Sequence, residues 1–262
     1  MPDRHGRTIV IVKEVTELDH ANGAARGVRD MPTSADGLRD YVAWHDAYDD
    51  PQSSLSWRLS IVRSWIERVL DEYSSPVRVL SVCAGDGRDV LGALALRPDV
   101  ADVDVTMLEI DPVLAARARQ QSADLHPRIR VDVRVADAGD PAAYSGAVPA
   151  DIVLLVGIFG NISDADLTRT IAAAPAMCRP GATVLWSRGR HGSDRTDKIR
   201  RCFLAAGFAE IGLDTLDRDG HPTVGRCGSA MRPSRCQPIG CSRSCANRRR
   251  PAFEFARRCG RH

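Results

Sequence analysis

The sequence predicts an α/β protein built on a doubly wound, mostly parallel sheet, with a helical segment in front of it. After Ser75-Pro76, short apolar runs alternate with stretches of helical periodicity, which is typical of βα units. A glycine turn follows the first of these runs, and carboxylates follow the next two. Crossovers between parallel strands are right-handed, so ligands are expected beyond the carboxyl ends of the strands.

Two segments precede the predicted sheet. Residues 1–36 show no sustained periodicity and are interpreted as a loosely ordered leader. Residues 37–74 place apolar and aromatic residues at helical spacing, which predicts two helices separated near Asp50-Pro51. Ser53 or Ser54 is expected to cap the second helix. We expect this helical cover to close over the ligand site and to shape its specificity.

Residues 75–225 are predicted to form one domain with six strands and four long helices. The predicted strands cover residues 77–83, 103–110, 129–135, 151–157, 182–186 and 210–213. The predicted helices cover residues 89–95, 112–122, 164–174 and 195–206.

The segment from Val79 to Leu91 predicts a strand, a glycine turn and a helix. Gly85 and Gly87 allow the backbone to turn tightly and to approach a ligand, while the helix presents free N–H groups. This pattern indicates a nucleotide-binding turn. A glycine-rich βα loop without a ligand is the alternative.

Carboxylates end the second and third predicted strands. Glu109 lies 22 residues beyond Gly87, where a carboxylate can accept two ribose hydroxyls. Asp111 precedes Pro112 and also fits a charge at a helix start, so its role stays open. The Asp137 carboxylate can accept a hydrogen bond from the exocyclic amine of an adenine. Together, the turn and the two carboxylates indicate ligand binding more specifically than any one of them.

At these positions the chain resembles the class I S-adenosylmethionine-dependent methyltransferases, which have a Rossmann-like fold. The resemblance covers roughly residues 77–225. It is carried by Val82-Cys83-Ala84-Gly85-Asp86-Gly87, Leu108-Glu109-Ile110-Asp111, Ala136-Asp137-Ala138, Leu154-Leu155-Val156-Gly157, Cys178-Arg179-Pro180-Gly181-Ala182 and Phe203-Leu204-Ala205-Ala206-Gly207-Phe208. More narrowly, residues 45–51, 84–89 and 157–162 look like a group of uncharacterised actinobacterial methyltransferases.

The resemblance implies that the protein is a transferase with S-adenosylmethionine as its cofactor. It implies that the cofactor contacts Cys83, Ala84, Gly85, Asp86, Gly87, Glu109, Ile110, Asp137, Ala138, Gly157, Ile158 and Phe159. In this scheme Glu109 holds the ribose, Asp137 and Ala138 face the adenine, and Gly157 to Phe159 lie near the methyl group.

The first motif departs from the family pattern. Ser81 or Cys83, depending on register, replaces the acidic residue that usually opens the motif. We therefore expect Asp86 or Asp89 to bind the ammonium of the methionine moiety instead.

The distribution of charge bears on the acceptor. Residues 226–262 contain ten Arg and one Glu and therefore carry a charge of +9. Because the whole chain has a net charge of +2, residues 1–225 carry −7. An acidic body gives no general electrostatic reason to bind nucleic acid. A small-molecule acceptor of undetermined identity is the expectation.

Two other functions are considered. A nicotinamide-dependent oxidoreductase also needs a glycine turn and a distant carboxylate, but Val90 stands where that fingerprint has Gly or Ala. The second alternative is a noncatalytic or nucleic-acid-binding methyltransferase-like module.

Methyl transfer mainly requires alignment of the acceptor, with removal of a proton in some cases. The candidate bases by position are Tyr48 on the helical cover and His191 beyond the fifth strand. A packed aromatic and a solvated loop histidine are the alternative interpretations. Trp44, Tyr48 and Trp57 are also expected to supply an apolar wall to the site, with core packing as the alternative.

Residues 226–262 are predicted to be an irregular Arg- and Cys-rich tail. The resemblance implies a final antiparallel strand after residues 221–225, but no strand pattern follows Gly225. We therefore hypothesise that the chain from about Arg226 is a shifted reading frame, in which case the sheet lacks its last strand. The tail has no Cys-x-x-Cys pair, so no metal site is expected. No run of 18 apolar residues and no secretory signal is found, and a cytoplasmic protein without disulfides is expected. The oligomeric state is left open.

Overall fold

The computed structural model describes residues 45–73, 76–97, 102–188, 195–215 and 223–229. Seven strands form one sheet in the order β3-β2-β1-β4-β5-β7-β6. The strands are β1 (Val77–Val82), β2 (Val103–Glu109), β3 (Ile129–Val135), β4 (Ala150–Leu155), β5 (Cys178–Arg188), β6 (Phe208–Thr215) and β7 (Thr223–Ser229). The first five strands are parallel, and β7 is antiparallel to β5 and β6. The predicted doubly wound, mostly parallel α/β fold is confirmed.

Five α-helices occur in the described parts of the chain. They are α1 (Ser54–Asp71), α2 (Val90–Ala95), α3 (Pro112–Ser122), α4 (Asp164–Met177) and α5 (Thr196–Ala205). Short 3₁₀ helices cover Asp46–Asp49 and Pro141–Tyr144. None of these helices combines the length and the apolar character needed to cross a bilayer.

Side-chain caps set the starts of α1 and α3. Ser53 accepts a hydrogen bond from the backbone N–H of Ser56, so it caps α1 as predicted. Asp111 Oδ1 accepts hydrogen bonds from the backbone N–H groups of Val113 and Leu114. Asp111, whose role the sequence leaves open, is therefore the N-cap of α3.

Both faces of the sheet are covered by helices. One hydrophobic core lies between the sheet and the apolar faces of α4 and α5. The other contains Val62, Ile66 and Val69 of α1 together with residues of α2 and α3. Helix α1 is therefore a layer of the α/β sandwich, and only its N-terminal end reaches the ends of the strands.

The expectation that the sheet lacks its last strand is wrong. Strand β7 pairs along β5 and β6, and it extends four residues into the segment predicted to be an irregular tail. Its Arg226 side chain is buried, and Nη2 donates to the Glu72 carboxylate at 2.7 Å. The guanidinium also lies 5.5 Å from the ring centroid of Trp65. An arginine is accommodated in the strand because α1 supplies a carboxylate and an aromatic face for it.

Candidate active site

A cavity of about 940 Å³ lies at the carboxyl ends of β1 to β4. Its lining comes from the glycine turn after β1, the ends of β2 and β3, the loop after β4, and α1 with the segment before it. β1 lies between β2 and β4, and the helix that follows β1 packs on the opposite face of the sheet from the helix that follows β4. A crevice opens at this switch point. The cavity therefore lies where ligands bind in doubly wound sheets.

Glu109 links the end of β2 to the glycine turn. Its Oε2 accepts a hydrogen bond from the backbone N–H of Gly85 at 2.7 Å, and its Oε1 accepts one from Asp111 at 2.8 Å. The residue is only 7% exposed, yet it lines the cavity. A carboxylate offers about four acceptor positions, so two hydroxyl groups can still bind to it.

The turn after β1 contains three residues in the left-handed region, Cys83, Gly85 and Gly87. Gly85 has φ +59°, and a Cβ at this position would lie 2.6 Å from Nε2 of His45. Only glycine fits between the turn and the segment above it. Cys83 also has a positive φ of 52°, which is uncommon for a residue with a side chain. The turn thus keeps a conformation that costs free energy, as functional loops often do.

Gly87 differs from the other predicted cofactor contacts in the turn. Cys83, Ala84, Gly85 and Asp86 line the cavity. A Cβ on Gly87 would instead lie 2.4 Å from Cε of Met107 and 2.8 Å from Cδ1 of Leu91. This glycine permits close packing of the turn on the hydrophobic core.

The end of β3 provides the second predicted carboxylate. Asp137 lines the cavity and accepts a hydrogen bond through Oδ1 from the backbone N–H of Gly139 at 2.7 Å, which fixes the orientation of its side chain. The carbonyl of Ala138 accepts a hydrogen bond from the hydroxyl of Tyr144 at 2.8 Å. Ile110 lies in the same part of the cavity and is 48% exposed, so it offers an apolar surface to a flat ring.

The residues after β4 separate into two groups. Gly157 and Ile158 line the cavity. Phe159 is fully buried and packs edge-on against Trp186 and Phe203 in the hydrophobic core. The loop turns the Phe159 side chain away from the cavity, and the structure does not bring it to the other predicted cofactor contacts.

The two aspartates of the glycine turn have different environments. The Asp86 carboxylate is bound by Arg88, with Nε at 3.0 Å from Oδ1 and Nη2 at 2.6 Å from Oδ2. Burial alone would raise the pKa of Asp86, but the hydrogen bonds and charge of Arg88 outweigh it and lower the pKa. Asp89 caps α2, and burial raises its pKa against the opposing effects of Val90 N–H and Arg58. Both aspartates line the cavity, but the Asp86 carboxylate is paired with Arg88, whereas Asp89 caps α2.

The segment before α1 forms one wall of the cavity. His45 and Tyr48 line it, and the Arg88 guanidinium lies 4.6 Å from the centroid of the Tyr48 ring. Arg88 Nη1 also donates to the carbonyl of His45 at 3.4 Å. Arg88 therefore ties this segment to the glycine turn.

Tyr48 is the one predicted candidate base that the structure describes at the site. Arg58 Nη2 donates a short hydrogen bond to its hydroxyl. Burial raises the pKa of Tyr48, which outweighs the lowering effect of Arg58, so the phenol stays protonated at neutral pH. This environment suits a hydrogen-bond donor rather than a base.

Other predicted cover and loop residues lie elsewhere. Trp57 is partly buried and packs against the hydrophobic core beneath α1 rather than lining the cavity. Trp44 and His191 lie outside the described residues. Among the described residues, no group of His, Cys, Asp and Glu is arranged to hold a metal ion.

The sequence interpretation missed Arg58, His45 and Arg88 as residues of the site. Arg58 had a detectable signal: it lies four residues before Val62 and eight before Ile66, on the stripe of α1 that is otherwise buried and apolar. A cation on the buried stripe of an amphipathic helix indicates a specific partner, because burying an unpaired charge is costly.

Comparisons with known proteins agree with this architecture. No family model matches the sequence, and no curated protein matches it. The solved magnesium protoporphyrin IX methyltransferase (ChlM) from Synechocystis PCC 6803, with bound SAM, superposes with a TM-score of 0.57. It is 13% identical, over 72% of this chain and 90% of that chain. The CurJ carbon methyltransferase has a TM-score of 0.57 and 13% identity, over 73% of this chain and 59% of that chain. The chain therefore has the Rossmann-like fold of the class I methyltransferases.

Proposed function

We propose that this protein is an S-adenosylmethionine-dependent methyltransferase that acts on a small-molecule acceptor. The observation that carries the proposal is the convergence of the Gly85 turn, the Glu109 carboxylate and the Asp137 carboxylate in one cavity. A nucleoside fits this donor and acceptor set. Glu109 would accept hydrogen bonds from the ribose hydroxyls, and Asp137 would accept one from the exocyclic amine of the base. Ile110 would cover the face of the base. The structural neighbour solved with bound SAM supports the same cofactor.

A phosphate-containing cofactor fits the glycine turn poorly. A dinucleotide places its pyrophosphate at the N-terminus of the helix after the turn. Here Asp89 Oδ1 already accepts the backbone N–H of Val90 at 2.7 Å, and the Asp86 carboxylate lies in the same turn. Because Arg88 neutralises Asp86, the Asp89 carboxylate is the one that would repel a pyrophosphate at this helix start, which favours the sulfonium cofactor over the nicotinamide cofactors.

The chemistry follows from alignment. When bound, S-adenosylmethionine supplies an electrophilic methyl group on its sulfonium for in-line transfer. The loop at Gly157 and Ile158 and the phenol of Tyr48 then shape the part of the cavity that an acceptor enters. Asn161 Nδ2 donates to the carbonyl of Gly157 at 2.8 Å and holds this loop. These residues would orient the acceptor and exclude water from it.

Charge and cysteine chemistry support the remaining parts of the proposal. Residues 1–225 carry −7, which favours a small molecule over nucleic acid as the acceptor. The four cysteines that the structure describes are all free thiols, which fits a reducing, cytoplasmic compartment. We also propose that the cofactor-binding domain extends from residue 75 to Ser229, because β7 completes its sheet.

Calorimetric titration tests the proposal. S-Adenosylmethionine and, separately, NADH and NADPH would be titrated into the wild type, Asp137→Ala and the control Asp132→Ala. Asp132 lies on β3, the strand that precedes Asp137, and pairs with Arg134 at the surface. We expect micromolar binding of the sulfonium compound alone, weakened about tenfold or more in Asp137→Ala and unchanged in Asp132→Ala. Binding of a nicotinamide cofactor without S-adenosylmethionine would overturn the proposal.

A further inference from the structure

Arg58 is a buried cation on the wall of the cavity. It is only 6% exposed, and it lines the cavity from the N-terminal end of α1. Its Nη2 donates to the hydroxyl of Tyr48, and its Nη1 lies 3.9 Å from the position that a Cβ on Gly157 would take. The guanidinium therefore sits beside the end of β4, on the opposite side of β1 from Glu109 and Asp137.

Asp89 is the anion of this region. It lines the cavity at the start of α2, and its Oδ1 accepts the backbone N–H of Val90. Burial raises the pKa of Asp89, and the charge of Arg58 is one of the effects that oppose this rise, so the two side chains interact electrostatically. Asp86 is not equivalent to Asp89, because both of its oxygens are bonded to Arg88 and it is 2% exposed.

A cation and an anion at one end of a nucleoside cavity match the head group of an amino acid. Such a head group carries a carboxylate and an ammonium on the same carbon, so its site needs one charge of each sign a few ångströms apart. The guanidinium offers a planar fork of donors for a carboxylate, and a carboxylate offers acceptors for an ammonium. Once a nucleoside is held over β2 and β3, its amino-acid substituent extends toward β1 and β4, where Arg58 and Asp89 lie.

We propose that Arg58 binds the carboxylate, and Asp89 the ammonium, of the amino-acid half of S-adenosylmethionine. This inference rests on the proposed function. It assigns a role in cofactor recognition to α1, which lies before the region that resembles the methyltransferases. It also provides a replacement for the acidic residue missing at Ser81, which is itself buried at the end of β1.

Three ligands separate the parts of the cofactor. S-Adenosylhomocysteine contains the whole amino acid, decarboxylated S-adenosylmethionine keeps the ammonium but lacks the carboxylate, and 5′-methylthioadenosine lacks both. Each would be titrated calorimetrically into the wild type, Arg58→Met, Arg58→Lys, Asp89→Asn and Arg68→Met. Arg68 is the matched control, because it lies on α1 over the ring of Trp65 and away from the cavity.

The two variants are expected to give different patterns of loss. Arg58→Met should weaken S-adenosylhomocysteine about 10- to 100-fold, as expected for a lost charge-assisted hydrogen bond, and should leave the other two ligands within about twofold. Asp89→Asn should weaken both ligands that carry the ammonium by about tenfold and leave 5′-methylthioadenosine unchanged. Arg58→Lys should fall between the wild type and Arg58→Met, and Arg68→Met should bind all three ligands like the wild type.

Two results would overturn the inference. An equal loss of S-adenosylhomocysteine and 5′-methylthioadenosine in Arg58→Met would mean that Arg58 supports the fold of the site and does not recognise the amino acid. Wild-type protein that binds these two ligands equally tightly would exclude an amino-acid site without any variant, even if Arg58→Met fails to fold. Wild-type protein that binds none of the three ligands would instead contradict the proposed function.

Discussion

The Glu109 carboxylate accepts the backbone N–H of Gly85 at 2.7 Å across 24 residues of sequence. This contact joins the end of β2 to the turn after β1, and a second hydrogen bond joins the same carboxylate to Asp111. Glu109 therefore orders the backbone of the cavity before any ligand binds. We therefore expect both the stability of the protein and its affinity for the proposed cofactor to depend on this one side chain.

Replacing Glu109 should reduce both properties. Glu109→Ala leaves two backbone donors without their partner, so the free energy of unfolding should fall by about 2–4 kcal/mol, and S-adenosylmethionine affinity should fall more than about tenfold. Glu109→Gln keeps one acceptor oxygen and should lose about half as much stability. Urea unfolding and calorimetry measure the two effects. A Glu109→Ala protein that binds the cofactor like the wild type would rule out the ribose role.

The left-handed backbone at Cys83 gives a second prediction. A residue with a side chain costs about 1–2 kcal/mol in this conformation, and glycine costs about 0.5–1 kcal/mol through the entropy of the unfolded chain. Cys83→Gly should therefore change the free energy of unfolding by less than about 1 kcal/mol, in the stabilising direction relative to Cys83→Ala. Cys83→Val should be the least stable of the three variants because valine is β-branched. Greater stability of Cys83→Ala than of Cys83→Gly, measured by urea unfolding, would contradict this.

Asp89 should lower the stability of the free protein at neutral pH. Burial raises its pKa above that of the unfolded chain, so the unfolded state loses the Asp89 proton first as the pH rises. The stability that this raised pKa provides is fully present below the pKa of Asp89 in the unfolded chain. It is lost as the pH rises through the higher pKa of Asp89 in the folded protein. Asp89→Asn keeps a capping side chain without the charge. Its melting temperature should exceed that of the wild type near pH 7, and the difference should shrink toward acid pH.

Two outcomes are informative for Asp89→Asn. Higher stability combined with weaker binding of S-adenosylhomocysteine would indicate a residue kept for binding at a cost in stability. A difference in melting temperature that grows toward acid pH would contradict the burial of an ionisable Asp89.

The packing of β7 against α1 can be tested by replacing Glu72. This carboxylate is the partner of the buried Arg226 guanidinium at 2.7 Å, so Glu72→Gln leaves a buried cation with a weaker acceptor. We expect a loss of about 1–3 kcal/mol in the free energy of unfolding. Asp104→Asn is the control, because Asp104 pairs with the exposed Arg130. This substitution should lower the free energy of unfolding by less than about 0.5 kcal/mol. Equal losses in the two variants would mean that Arg226 is not held against α1.

The order of the predicted strands and the carboxylates at their ends were accessible from sequence for one reason. In a parallel sheet, successive strands end at the same edge, so Glu109 and Asp137 had to approach the turn at Gly85 once the βα order was recognised. Asp111 was ambiguous because a cap and a ligand require the same side chain in front of Pro112. The structure shows Asp111 capping α3.

The orientations of Phe159 and Arg58 could not be obtained in this way. Residues 157 to 159 form a loop whose side chains follow no period, so packing against Trp186 determined that Phe159 points into the core. Arg58 lies on a periodic helix, but only the placement of α1 across the sheet decided that this end of its buried stripe meets the cavity. Strand β7 was missed because it contains few apolar residues and is stabilised by pairing with two distant strands.

The sequence by itself determined the α/β class, the strand and helix order from residue 75 to about residue 215, and the three strand ends that line one side of the cavity. These features depend on local periodicity and on the geometry of parallel strands. The tertiary structure alone decided that α1 supplies Arg58 to the cavity, that Asp86 is paired with Arg88 while Asp89 caps α2, and that β7 completes the sheet. Each of these features depends on which side chains meet when elements distant in sequence come together. Those contacts are set by packing and charge pairing, which exist only in the folded chain.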